Sequence, residues 1–204
     1  MDQQTLDYYE REAPCYVQAM AGGSARALSE ALLDGFLSRL SPGAHVLELG
    51  CGGGRDTLRM IQQGFAVDAT DGAAAMAREA AALTGQSART MRFDQLEAAA
   101  EYDAVWAHAS LHHQPLADMS GVLARIKRAL RLGGWFFANY KLGDGDARDD
   151  LGRLYNFPRR QQLIGLYHAG GWELADLADY RAGGYNKVTR DWIAVTTRKP
   201  LCAV

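Results

Sequence analysis

The chain has only three cysteines in 204 residues, Cys15, Cys51 and Cys202. Their odd number and unpaired spacing speak against a disulfide framework and for reduced thiols in a cytoplasmic protein. Cys202 stands third from the end, so no prenylation box is expected. Long uncharged runs are also missing. The longest lies between Asp103 and Asp118, short of the roughly 20 residues needed to cross a bilayer, so no membrane partner is expected. The opening MDQQTLDYYEREAP carries acids where a secretory leader needs a basic start and an apolar centre. No basic excess exists either: 22 Lys plus Arg face 24 Asp plus Glu, for a net charge of −2, which disfavours a nucleic-acid partner. What is present suits a folded enzyme-sized unit. With 48% apolar and 23% charged residues the chain is too hydrophobic for disorder, and its length fits one structural unit.

The pattern of apolar residues has two regimes. Residues 4–13 read as helix, interrupted by Pro14, with a continuation through Met20. Ala21 to Gly23 form a hinge-like break, and Ser24 can cap a helix over about 25–40 whose Leu28, Leu32, Leu33, Phe36, Leu37 and Leu40 share one face. Strand and helix then alternate. Strands are expected at 45–49, 65–70, 89–93, 102–107 and 135–140, with helices at 55–63, 73–84 and 117–131, the last stopping at Gly133-Gly134. This rhythm is that of a doubly wound α/β sheet with helices on both faces. Past 141 a polar loop, a helix from Pro158 to His168 and two strand-like runs, 172–180 and 190–197, suggest a closing antiparallel pair. Residues 1–40 read as a helical lid and docking helix on a domain spanning 41–204.

The strongest motif is Val46-Leu47-Glu48-Leu49-Gly50-Cys51-Gly52-Gly53-Gly54. A strand carries a carboxylate near its end, and glycines then let the backbone turn tightly against a ligand. The turn opens a helix with unpaired amides. Asp71 ends the next strand, about 20 positions on, where an acid accepts hydrogen bonds from ribose hydroxyls. A dinucleotide fingerprint wants Gly or Ala where Arg55 stands, and Glu48 would lie close to a pyrophosphate. A cationic cofactor without phosphate suits the carboxylate better.

At ELGCGGG and TDGAAAM the sequence resembles class I S-adenosylmethionine-dependent methyltransferases, nearest to small bacterial small-molecule enzymes, over about Tyr8 to Arg198. The resemblance implies a Rossmann-like seven-stranded sheet, mostly parallel with an antiparallel last strand. It implies S-adenosylmethionine as cofactor and S-adenosylhomocysteine as product. It assigns Gly50 and Gly52 to backbone contact with the cofactor, Glu48 to ordering the amine end, and Asp71 to the ribose with Gly72 beside it. Phe93 and Asp94 would meet the adenine, the former through its backbone. His108 would offer its carbonyl to the amine, and Tyr9 and Tyr16 would close over the cofactor. Gly72-Ala73 departs from the pattern, since a polar residue often follows the acid.

His108, His112 and His113 cluster after the fourth strand. No acid or cysteine lies within the cluster and Pro115 follows closely, so no metal is expected. His112 and His113 are the candidate general bases, since histidine takes a proton near neutral pH. Tyr16 is an alternative contact, and a soft anionic acceptor would need no base. Arg55, Lys141 and Arg148 fall on loops at the ligand edge and could hold an anionic acceptor. Tyr155-Asn156-Phe157 suits a pocket wall, Trp172 and Trp192 suit the core, and Cys51 is a spacer.

The expected function is methyl transfer to O, N or S of a small molecule by a monomer or homodimer. The other readings are an NAD(P)-dependent oxidoreductase, a non-catalytic S-adenosylmethionine-binding module, and a methyltransferase acting on nucleic acid or protein.

Overall fold

The structure, a computed structural model, describes residues 2–20, 22, 24–185 and 188–202. Helix α1 (Gln3–Met20) runs through Pro14 without a break, against the expected interruption. Pro14 lies on the outer face of α1, where the carbonyl left without a partner can bond water. Ala21 and Gly23 of the expected hinge lie outside the described residues, as does the side chain of Ser24. Helix α2 (Ser24–Leu37) presents Leu33, Phe36 and Leu37 to the sheet, all buried.

The alternating segment follows as β1 (His45–Leu49), α3 (Arg55–Gln62), β2 (Ala66–Asp71), α4 (Ala74–Thr84), β3 (Ala88–Thr90), β4 (Tyr102–Ala107), α5 (Met119–Ala129) and β5 (Leu130–Lys141). α5 ends two residues earlier than expected because Leu130 already pairs with Tyr102. Gly133, at φ +73°, then bends β5 from within instead of closing a helix. Past β5 the structure adds a hairpin where a polar loop was expected, β6 (Gly145–Arg148) and β7 (Leu154–Phe157). Then come α6 (Arg160–Ala169), β8 (Glu173–Gly183) and β9 (Thr189–Arg198).

The main sheet has seven strands in the order β3-β2-β1-β4-β5-β9-β8, with β9 antiparallel to both neighbours and the remaining strands parallel. Period-two alternation divides its two faces. Leu47, Leu49, Val105, Phe136 and Ala138 pack with Val122, Leu123 and Ile126 of α5 and Leu163 of α6. Val46, Trp106 and Phe137 face the other way, against α2 and Met60 of α3. This second face leads out of the core. Extending its rows past the strand ends brings Glu48, His108, Asn139 and Lys141 to one edge of the sheet. Among the described residues no helix is long and apolar enough to cross a membrane.

Candidate active site

The turn after β1 is held by its own backbone. The N–H groups of Gly50 and Cys51 both donate to the Thr70 carbonyl, at 2.8 and 2.9 Å. Gly50 has φ +79°, and a Cβ there would lie 2.4 Å from Cβ of Ser110, so only glycine lets the turn approach the segment after β4. Asp71 accepts from Gly52 N–H at 3.0 Å with one oxygen and from Ala73 N–H at 2.9 Å with the other. A Cβ on Gly52 would meet nothing within 4 Å, so this part of the turn is open to a ligand. Val17 of α1 covers the neighbouring Gly53.

Three carboxylates surround this turn and the start of α3. Asp56, in the first turn of α3, is buried; burial opposes its charge. Hydrogen bonding with His108 at 3.2 Å, Arg55 at 2.9 Å and the Trp106 indole N–H at 3.1 Å nevertheless hold it well below the usual carboxylate range. Among the described residues Glu48 has only the Thr57 hydroxyl as a hydrogen-bond donor, and burial followed by repulsion from Asp56 pushes it up to about 8. Burial raises Asp71 to about 6 despite its backbone donors. A pyrophosphate at this helix start would meet two carboxylates and find Gly52 N–H already taken. A cation would find compensating charge. Cys51 is buried and its thiol is pushed up, so it carries no nucleophile.

Beside the turn lies a cavity of about 100 Å³ between α1, α2 and the ends of β4, β5, β8 and β9. Lys141 is 5% exposed and its ammonium lies 3.8 Å from the Tyr155 ring centroid and 5.3 Å from that of Trp192. Among the described residues no carboxylate or other acceptor partners it. Burial, then repulsion from Arg153 and Arg190, lowers it to about 7. Arg153 is fully buried, paired with Asp149 at 2.7 Å, and set against the rings of Tyr8, Tyr9, Tyr155 and Tyr185.

The structure brings Tyr9, Tyr16, Arg55, His108, His112 and Lys141 around this cavity, with Glu48, Gly50, Gly52, Asp71 and Gly72 at the adjoining turn. Three expectations need correction. Arg148 is exposed and bound to Asp2 at 2.7 Å, so it latches the N-terminus instead of facing an acceptor. His113 has both ring nitrogens occupied, by the Leu154 carbonyl at 2.6 Å and the Tyr9 hydroxyl at 2.9 Å; it braces α1 and has no lone pair for a substrate proton. Arg55 lines the cavity but spends its guanidinium on Asp56 and on Ser29 at 2.6 Å. His112 is buried with its Nε2 3.2 Å from His113. The Phe93 ring is in the core, which leaves its backbone for a ligand, while Asp94 is exposed and paired with Arg92 at 3.1 Å. Trp192 is buried, as expected for the core, and is also a wall of the cavity, as is Tyr155.

Residues 47–136, from the middle of β1 into β5, match the methyltransferase domain family. The glycine turn and Asp71 both lie within the matched segment. No curated protein matches it. Among solved structures, a Burkholderia thailandensis 1,6-didemethyltoxoflavin-N1-methyltransferase with its acceptor and S-adenosylhomocysteine bound is 24% identical. That match covers 97% of this chain and 88% of that one at a TM-score of 0.78. A magnesium protoporphyrin IX methyltransferase from Synechocystis PCC 6803, with S-adenosylmethionine bound, is 16% identical over 98% of each chain at a TM-score of 0.75. The [4+2]-cyclase SpnF is 17% identical over 96% of each chain at a TM-score of 0.77. At these identities the likeness is one of fold. A cyclase on the same frame means that the chemistry of this chain has to be argued from its own site.

Several of its site residues carry little signal in sequence. Asp56 reads as an ordinary first-turn acid, Arg153 as part of a charged loop, and Asn139 as a strand polar residue. The usable sign is position: Trp106 and His108, then Phe137, Asn139 and Lys141, keep period two across the strand ends, so one face continues from core into cavity.

Proposed function

We propose that this S-adenosylmethionine-dependent methyltransferase moves its methyl group to oxygen or nitrogen of a small acceptor that carries an anionic group. The observation that carries the reading is Lys141, a buried ammonium with aromatic neighbours and no anionic partner, on a cavity beside the glycine turn. A charge buried in this way is costly until an opposite charge joins it. An acceptor carboxylate or comparable anion supplies that charge, and Tyr155 and Trp192 offer faces to the acceptor's flat or apolar part.

The residues around the turn fit a cationic adenosine cofactor. Asp71 has lone pairs beyond the two used by Gly52 and Ala73, and these can accept from ribose hydroxyls. Glu48 places a carboxyl below the turn for positive charge, and Gly52 leaves the outer side clear. Bound S-adenosylhomocysteine or S-adenosylmethionine in the Burkholderia thailandensis and Synechocystis relatives supports the same cofactor here. The cofactor's sulfonium makes its methyl group electrophilic. The protein's contribution is to hold the acceptor in line, exclude water and balance charge, and α1 covers both turn and cavity for that purpose.

A panel of small aromatic and aliphatic acids, assayed for S-adenosylhomocysteine release and product mass, tests this reading. At least one acid should be methylated, and its neutral analogue should be a much poorer acceptor. A panel that returned only neutral or cationic acceptors would remove the anion site.

A further inference from the structure

We infer that His108 is the general base of this site, positioned by Asp56, and that the methylated atom is therefore a hydroxyl or N–H that must lose a proton. The inference rests on the methyl-transfer reading above and assigns a proton acceptor that the expected pair, His112 and His113, does not provide.

The imidazole of His108 is held at Nδ1 and by a stacked ring. Its Nδ1 lies 3.2 Å from Asp56 Oδ2 and 3.3 Å from the Ser29 hydroxyl, and its ring stacks on Trp106 at 5.6 Å. Asp56 is itself held by Arg55 and the Trp106 indole, so it cannot turn away. A carboxylate on Nδ1 fixes the proton there and leaves the Nε2 lone pair as the basic site. The backbone reinforces this aim. Ala109 has φ +52°, a strained value for a residue with a Cβ, and its N–H donates to Asn139 Oδ1 at 2.5 Å. The chain thus turns immediately after His108 and packs Ser110 against Gly50, which sets the imidazole between the glycine turn and the cavity.

Charge decides among the three histidines. Around His112 stand His113, Lys141 and Arg153, and with burial they hold its pKa well below the usual value, so an imidazolium there has no partner. His113 has no free nitrogen. Beside His108, Asp56 compensates the charge that proton transfer creates, with Arg55 paired to that carboxylate and Lys141 lining the same cavity. As the acceptor's lone pair forms its bond to the methyl carbon, the carbon–sulfur bond breaks with its electrons left on sulfur. The acceptor's proton passes to Nε2 of His108. The positive charge lost at sulfur reappears on the imidazolium next to Asp56.

The test has two arms. Long-range proton–nitrogen spectra of the full chain at pH 8, assigned by the signal missing in His108→Gln, should show His108 as the Nδ1–H tautomer, and Asp56→Asn should disturb it. With an acceptor from the acid panel, His108→Gln should lower kcat by about 10²–10⁴-fold, the usual span for a general base. Its S-adenosylmethionine affinity by calorimetry should stay within about threefold, since binding and proton removal are separate tasks. Asp56→Asn should lower kcat with little change in KM. An Nε2–H tautomer in the wild type overturns the assignment whether or not any acceptor is methylated, and so does wild-type kcat in His108→Gln. Absence of S-adenosylmethionine binding in the wild type instead removes the methyl-transfer reading.

Discussion

Asp71 accepts a hydrogen bond from the Gly52 N–H at 3.0 Å, and this contact ties the end of β2 to the open part of the glycine turn. The same carboxylate shapes the turn and, in the proposed cofactor complex, would accept from the ribose hydroxyls. Asp71→Ala should weaken S-adenosylmethionine binding by about 1–3 kcal/mol, the scale for losing a charged hydrogen-bond acceptor. Calorimetry on the folded variant checks this, and unchanged affinity would take Asp71 out of the cofactor site.

The carboxyls near the turn also set a sign for proton movement. Glu48, at about 8, holds a proton at pH 7, and Asp71, at about 6, is mostly ionised. A cation bound beside them lowers both values, so S-adenosylmethionine binding at pH 7 should release protons. A pyrophosphate would raise both and take protons up. Binding enthalpies measured in two buffers of different ionisation enthalpy give the sign, and net uptake would contradict the cationic site.

Lys141 gives a pH dependence of its own. It loses its charge as pH rises through about 7, pushed there by burial and by Arg153 and Arg190, with Asp149 pulling the other way. The affinity for an anionic acceptor should therefore fall between pH 6 and 9, and a bound anion should raise the lysine's pKa. Lys141→Met should raise KM at pH 6.5 by roughly 10–150-fold, for a lost interaction of about 1.5–3 kcal/mol with a charged group, with a smaller effect on kcat. A KM independent of pH in the wild type would mean that Lys141 does not meet the acceptor's charge.

α1 should behave as a lid. The cavity of about 100 Å³ is small beside the roughly 300–1,000 Å³ of ordinary ligand pockets, so an acceptor's entry requires α1 or the β8–β9 end to shift. α1 is latched by polar contacts, Asp2 to Arg148, Tyr9 to His113 and Glu10 to Ala75 N–H, which can part without exposing a large core. Amide exchange over residues 3–20 should be faster in the free protein than with S-adenosylmethionine bound. Equal exchange in both states would sink the lid while leaving cofactor binding intact.

The parts legible in sequence are those where one local rule suffices. Period-two strands, a glycine turn with Glu48 before it and Asp71 after it, and the change of rhythm past 141 led to the sheet and its ligand edge. The β6–β7 hairpin escaped because Gly145–Arg148 is largely exposed and lacks apolar alternation; its identity comes from pairing with Leu154–Phe157 and from Asn156 bonding the Leu111 and Gln114 carbonyls. The roles of Arg148 and His113 are hidden in the sequence for a related reason. A residue type near the right edge says nothing of what already occupies its polar atoms, and Asp2 and Leu154 are far away in sequence. The pairing of His108 with Asp56 joins residues separated by most of the parallel half of the sheet, a juxtaposition that only the fold creates.

Methyl transfer here depends on S-adenosylmethionine binding at the glycine turn and its surrounding carboxylates. Titrating the purified chain with S-adenosylmethionine and, separately, with reduced nicotinamide dinucleotide tests it most directly. Saturable binding of S-adenosylmethionine, lost or weakened in Asp71→Ala, with no binding of the dinucleotide, is the expected result. Saturable dinucleotide binding without binding of S-adenosylmethionine would contradict it.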